Sequence, residues 1–219
     1  VSERAPWLLV GLGNPGAGYA GNRHNIGFMA VERWLDRHWP PGIGDPWREK
    51  FHGRYAQSSG SFGRCIVLQP QTYMNKSGKS VLAAAQFYRV PPEQTIVLYD
   101  EIDFEFGRLA IKKGGGHGGH NGIRDIIACL PSKEFLRIRL GVGRPDKGNN
   151  VSKWVLSDFA GPDAAELPDL LDRAEAAVST IMDKGLAAAM NAYNQTAKKA
   201  EKKPKPKKLP EPPPEPASD

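Results

Sequence analysis

Gly11-Leu12-Gly13-Asn14-Pro15-Gly16-Ala17-Gly18-Tyr19-Ala20-Gly21-Asn22-Arg23-His24-Asn25-Ile26-Gly27 is the stretch from which the fold is read. A short apolar run, Trp7-Leu8-Leu9-Val10, precedes it and reads as a buried strand. Ile26, Met29, Val31, Trp34 and Leu35 follow at near-helical spacing and predict a helix from Ile26 to His38, stopped by Pro40-Pro41-Gly42. Residues 12–25 hold four glycines, Pro15 and the turn-forming Asn14, Asn22 and Asn25, with one imidazole, His24, among them. A strand tip that feeds a long polar loop is where α/β proteins bind ligands.

The same alternation continues along the chain. Residues 43–50 read as loop, and Phe51–Ser58 and Phe62–Leu68 read as a hairpin about Ser59-Gly60-Ser61. Turn chemistry over Gln69–Gly78 leads to a helix from about Lys79 to Tyr88. Thr95–Tyr99 is a continuous apolar run of the buried parallel type, ending at Asp100-Glu101. Arg108–Lys112 reads as a short strand, Gly114–Gly119 as a glycine loop, and Asn121–Leu130 as a helix. Phe135–Val142 alternates apolar with basic residues, the pattern of a strand with one exposed face. Val151–Leu156 is ambiguous, while Pro162–Lys184 and Leu186–Ala197 are helical in spacing. Together these predict a single α/β domain: a twisted, mostly parallel mixed sheet flanked by helices, with an antiparallel hairpin at one side. The domain is expected over residues 1–197. Residues 198–219, KKAEKKPKPKKLPEPPPEPASD, have almost nothing to bury and read as a disordered tail.

Composition narrows the function classes. The chain has 219 residues, 40% of them apolar, and no run of 18 apolar residues, so no membrane span is expected. VSERAPW lacks the apolar segment of a secretory signal, and Cys65 and Cys129 sit in apolar runs as reduced thiols would. Both features favour a cytoplasmic location. The net charge is +6. Seven lysines and four acids give the tail +3, which leaves +3 for residues 1–197, a mildly basic body that permits nucleic-acid binding.

Several motifs carry more than one reading. Gly11–Gly16 matches G-x-G-x-x-G after a strand, but a dinucleotide site needs its helix to begin within the glycines. Here the helix begins ten residues after Gly16, and Asp36 falls inside it rather than at a strand tip. A nucleotide cofactor is therefore not expected. Gly114-Gly115-Gly116-His117-Gly118-Gly119-His120-Asn121-Gly122 lacks the Gly-Lys-Ser/Thr end of a P-loop. It reads either as a flexible surface loop or as a lid whose helix N-terminus binds an anion. His117 and His120 have the donors for a metal, yet no cysteine or acid cluster completes a site, and no metal is expected. Asp100 stands at the tip of the most apolar strand, so it is either a solvated carboxylate or an N-cap, or else a partner for His24 across two central strands. Asn14, Asn75 and Asn121 sit in turns or at a helix start. They are either local turn formers or carboxamides converging on a cleft. No Gly-x-Ser-x-Gly elbow is present.

Taken together, GLGNPGAGYAGNRHNIG, QTYMNKSGKSV, YDEID and GGGHGGHNGIRDI resemble the bacterial peptidyl-tRNA hydrolases, in the right order over about residues 7–195. One departure is Asn22 where that family usually has Thr before Arg-His-Asn. The resemblance implies a monomeric enzyme that cleaves the ester between a peptide and the 3′-terminal ribose of tRNA, with no cofactor and no metal. It implies His24 as general base, Asp100 as its partner, and Asn14, Tyr19, Met74, Asn75 and Asn121 around the substrate. A neutral imidazole suits water activation near pH 7, and a carboxylate on its far nitrogen fixes the tautomer. Asn75 is expected to face the oxyanion, and Asn14 and Asn121 the peptide and the water. The tRNA phosphates require cations. Lys112, Lys113, Arg137, Arg139, Arg144 and Lys147 are the candidates. The competing readings are a non-catalytic RNA-binding protein on the same scaffold and, second, a nucleotide-cofactor enzyme using Gly11–Gly16.

Overall fold

The computed structural model describes residues 5–40, 42–145, 148 and 150–194. In chain order the elements are β1 (Trp7–Gly11), α1 (Ile26–His38), β2 (Arg48–Lys50), β3 (Gly53–Gly60), β4 (Gly63–Pro70) and α2 (Ser77–Tyr88). There follow β5 (Thr95–Glu101), β6 (Leu109–Lys113), α3 (Asn121–Cys129), β7 (Leu136–Gly141), α4 (Val151–Val155), α5 (Gly161–Lys184) and α6 (Leu186–Tyr193). The proposed tail and the last residues of the C-terminal helix expectation lie outside the described residues.

The seven strands form one sheet in the order β2-β3-β4-β1-β5-β7-β6. β4, β1, β5 and β7 run parallel, as the continuous apolar run of β5 predicts for that strand, and antiparallel strands close both edges. The second antiparallel edge, β6 on β7, goes beyond the single hairpin expected. β1 alternates as a strand buried on both faces must. Leu9 enters the core layer with α1 and α5, while Leu8 and Val10 enter the layer with α2 and α3. The chain leaves β1 toward β4 on one side and β5 on the other, so the carboxyl ends of these three strands border a topological switch point.

Three local expectations are corrected. Residues 48–50 pair with β3 rather than forming loop; this exposed edge strand has no buried face to give it a readable pattern. The hairpin turns at Ser61-Phe62, because Gly60 pairs with Gly63 and Phe62 folds inward against Trp34. β7 has no exposed face, and Arg137 is wholly buried. The β2–β3 turn consists of Phe51 and His52, both in the left-handed region that most side chains avoid. His52 O accepts the Gln71 N–H at 3.0 Å, so this tight turn braces the segment that leads from β4 to α2.

The glycines of the first loop serve backbone packing. A Cβ on Gly11 would lie 2.2 Å from Gly27 O, and one on Gly27 would lie 2.4 Å from Leu98 O. Phe28 N donates to Leu12 O at 3.2 Å across the same contact. The first turn of α1 thus rests directly on the ends of β1 and β5. Gly27→Ala should destabilise the fold by about 2–3 kcal/mol or more, as overpacking against immobile backbone does. A denaturant midpoint equal to wild type would show that this contact relaxes freely.

Candidate active site

Three loops meet above the carboxyl ends of β1, β4 and β5. The first carries Asn14 and His24, the second Met74 and Asn75, and the third follows Asp100 and Glu101, the last residues of β5. The start of α3 closes the fourth side with His120 and Asn121. These residues, with Tyr73 and Ile102, line an open cleft of about 550 Å³. Close glycine contacts bring the pieces together. A Cβ on Gly122 would meet Met74 Sδ at 2.6 Å, and one on Gly78 would meet Asp125 O at 2.4 Å. Gly78 N also donates to Asp125 Oδ2 at 2.7 Å, tying the start of α2 to α3.

His24 Nδ1 lies 2.8 Å from Asp100 Oδ1, and His120 Nε2 lies 2.9 Å from the same oxygen. Asp100 is almost wholly buried. Burial alone would raise its pKa, but the His24 and His120 rings, by charge and hydrogen bond, hold the carboxyl well below the usual range. For His24, burial alone would lower the pKa. The charge and hydrogen bond of Asp100 outweigh it and raise the imidazolium above 6.5. An anionic Asp100 can only accept, so it draws the Nδ1 proton of His24 toward itself and leaves Nε2 as the free lone pair.

Sequence alone offers His120 only as a metal donor beside His117, and the structure sets it beside Asp100. The legible signal is its position immediately before α3, where a capping side chain belongs. His120 Nδ1 accepts the Ile123 N–H at 3.2 Å, and Tyr99 holds the ring edge-on at 4.9 Å. His24, Asp100 and His120 offer ligand atoms within 4.8 Å of one another. With Nδ1 engaged by the helix, however, His120 carries its proton on Nε2, directed at Asp100. A metal there would have to expel that proton, so the trio is built as a proton network. The cap takes the Ile123 N–H at this helix start, one of the donors that the anion-binding reading would use.

The carboxamides have distinct settings. Asn14 is held twice, by Asn25 Oδ1 on its N–H at 2.9 Å and by Asn25 Nδ2 on its carbonyl at 3.0 Å. Its side-chain Oδ1 accepts from Met74 N at 2.9 Å, so the NH₂ group is what it has left to offer the cleft. Asn121 Oδ1 accepts from Arg124 Nη1 at 2.9 Å, which likewise leaves its NH₂. Asn75 is exposed at the cleft wall. Tyr19 lies in the turn Ala17–Tyr19, half-buried, and is not among the lining residues. Asn22 Nδ2 donates to Asp158 Oδ1 at 2.7 Å, a bond that gives this position a structural use.

The cations divide. Arg139 pairs with Glu101 at 2.7 Å, Arg144 pairs with Asp103 at the cleft rim, and Lys112 lies against the glycine loop beside Gly115. Two of the candidate cations lie away from the cleft. Arg137 donates to Gly116 O at 2.7 Å and Gly115 O at 2.9 Å, so it pins the glycine loop and is shut off from phosphate. Lys113 lies at the amino ends of the parallel strands, in a hollow with Trp7, Glu93 and Gln94, because β6 runs antiparallel. Arg124, beside Asn121, is an exposed cation the sequence reading passed over. Lys147 lies outside the described residues.

The balance at His24 can be tested directly. Asp100→Asn removes the raising influence and leaves the burial, so the imidazolium should titrate below 6.5 instead of above it. Imidazole NMR titration of both forms reads this, and an unmoved His24 would contradict the coupling.

Comparison with known proteins gives a consistent result. A family model described as peptidyl-tRNA hydrolase matches residues 8–203. The chain is 47% identical over 193 residues to a peptidyl-tRNA hydrolase of Sorangium cellulosum, covering 87% of this chain and 85% of that one. It is 44% identical over 189 residues to one of Symbiobacterium thermophilum, covering 85% and 98%. The crystal structure of the Acinetobacter baumannii peptidyl-tRNA hydrolase superposes with a TM-score of 0.78 at 37% identity, covering 89% of this chain and 97% of that one. On this agreement of motifs, sheet and sequence, the chain belongs to the peptidyl-tRNA hydrolase family.

Proposed function

We propose that this chain hydrolyses the ester joining a peptide to the 3′-terminal ribose of tRNA, and that His24 activates the attacking water. The observation that carries the reading is the 2.8 Å contact of His24 Nδ1 with Asp100 Oδ1 at the floor of an open cleft. His24 Nε2 takes the proton from water as the oxygen attacks the ester carbonyl. Asp100 stabilises the imidazolium that forms, and His120 keeps Asp100 ionised and oriented. Among the described residues no hydroxyl or thiol hydrogen-bonds His24, which supports direct attack by water over an acyl-enzyme. The free NH₂ groups of Asn14 and Asn121, with Asn75, supply donors for the developing oxyanion and the peptide carbonyls. Proton return to the ribose oxygen through the same imidazolium completes the cleavage.

Arg139, Arg144, Lys112 and Arg124 serve the phosphates of the acceptor end. No helix among the described residues is long and apolar enough to cross a membrane. The substrate's own location supports a cytoplasmic site of action.

N-acetyl-phenylalanyl-tRNA should be hydrolysed and free phenylalanyl-tRNA spared. His24→Ala should lower turnover of the blocked substrate by about 10²–10⁴-fold or more, while binding of deacylated tRNA stays near wild type. Turnover retained in His24→Ala would remove the base assignment.

A further inference from the structure

Arg23 precedes His24 and is 4% exposed, an unusual burial for a guanidinium. Its surroundings tie the His24 turn to the far wall of the cleft. That wall is α4 and the residue after it, through Val151, Ser152, Val155 and Leu156. α4 has five residues and buries only Val155, too little to hold a helix in place by itself. The Arg23 guanidinium lies over the Trp154 ring at 4.0 Å and over the Phe159 ring at 4.9 Å. Its Nη1 donates to Asp163 Oδ2 at 2.7 Å and to Val142 O at 3.3 Å. The Arg23 N–H reaches Ser157 O at 3.0 Å, and Trp154 Nε1 reaches Gly143 O at 2.9 Å. Trp154 is therefore clamped between the His24 turn and the segment that follows β7. Val151 and Leu156, which flank it, present exposed apolar surface to the cleft, 37% and 43% open.

We propose that Arg23 is a positioning residue which, through its stack on Trp154, sets the α4 wall and with it the grip on the peptide part of the substrate. The proposal rests on the ester-hydrolase reading above. It divides labour along one short turn: His24 faces the reacting bond and its proton state is set by Asp100, while Arg23 faces the other way and sets the distance to the apolar wall. Lysine cannot take over, because a compact ammonium keeps the charge toward Asp163 but lacks the flat face that covers the indole.

The test compares Arg23→Lys, Trp154→Leu and the double variant on N-acetyl-phenylalanyl-tRNA and on a tRNA bearing an N-acetylated tripeptide. Each single change should raise KM for the tripeptide substrate about thirtyfold, the size of a desolvated cation–π stack. KM for the shorter substrate, kcat for both, and the acid limb of the pH–rate profile should change little. The double variant should be no worse than either single one, since both remove the same stack. Trypsin cleavage after the exposed Lys153 should quicken in all three, a readout independent of activity. A fall in kcat with KM unchanged, a shifted acid limb, or unaltered cleavage at Lys153 would overturn the proposal. If Arg23→Lys fails to fold, Trp154→Leu carries the test. If wild type turns over neither substrate, the hydrolase reading fails, and the proteolysis still decides whether Arg23 holds the wall.

Discussion

Asp100 Oδ1 accepts hydrogen bonds from two imidazoles, and much of the molecule is arranged to keep that carboxylate dry, ionised and in place. A buried carboxylate without partners would take up a proton. Here the end of β5 delivers it between His24, from the loop after β1, and His120, at the cap of α3. His120 has its other nitrogen committed to the helix, so it cannot turn away without uncapping α3. The network therefore connects sheet, loop and helix through one oxygen atom. Its chemical result is one cleft-lining imidazole, His24, whose Nδ1 is engaged and whose Nε2 keeps its lone pair free.

Glycine makes this convergence possible by removing side chains where backbones must touch. Gly11 and Gly27 let α1 seat on β1 and β5, and Gly78 and Gly122 let the Met74 turn, α2 and α3 close the second side. This explains why the first glycine-rich motif imitates a nucleotide fingerprint without being one. In both cases the residue type answers a demand for close approach. In a dinucleotide site the approaching group is a pyrophosphate; here it is the protein's own helix.

The parallel core, the helix over residues 26–38 and the meeting of positions 24 and 100 were legible because burial and period leave a mark in the residues themselves. The misreadings had physical causes too. β2 buries nothing, so it showed no pattern. Arg137 looked like a solvated charge because alternation cannot distinguish solvent from a lining of backbone carbonyls, and Gly115 and Gly116 supply that lining. Lys113 adjoins the glycine loop in sequence, and that adjacency hides the reversal of β6 that carries it to the amino ends of the parallel strands. His120 and the Arg23–Trp154 stack depend on contacts between segments far apart in the chain, and no local window contains both partners.

The central claim is that water, activated at His24 Nε2, attacks the ester without a covalent intermediate, although the hydroxyl-bearing Ser152 and Tyr73 line the same cleft. Rapid-quench single-turnover hydrolysis of N-acetyl-phenylalanyl-tRNA, with intact-mass analysis of the enzyme at each time point, tests it most directly. The account predicts that free tRNA and free N-acetyl-phenylalanine appear together in one phase, with no enzyme of increased mass. A burst of tRNA ahead of the released acid, with an acylated enzyme between them, would contradict it.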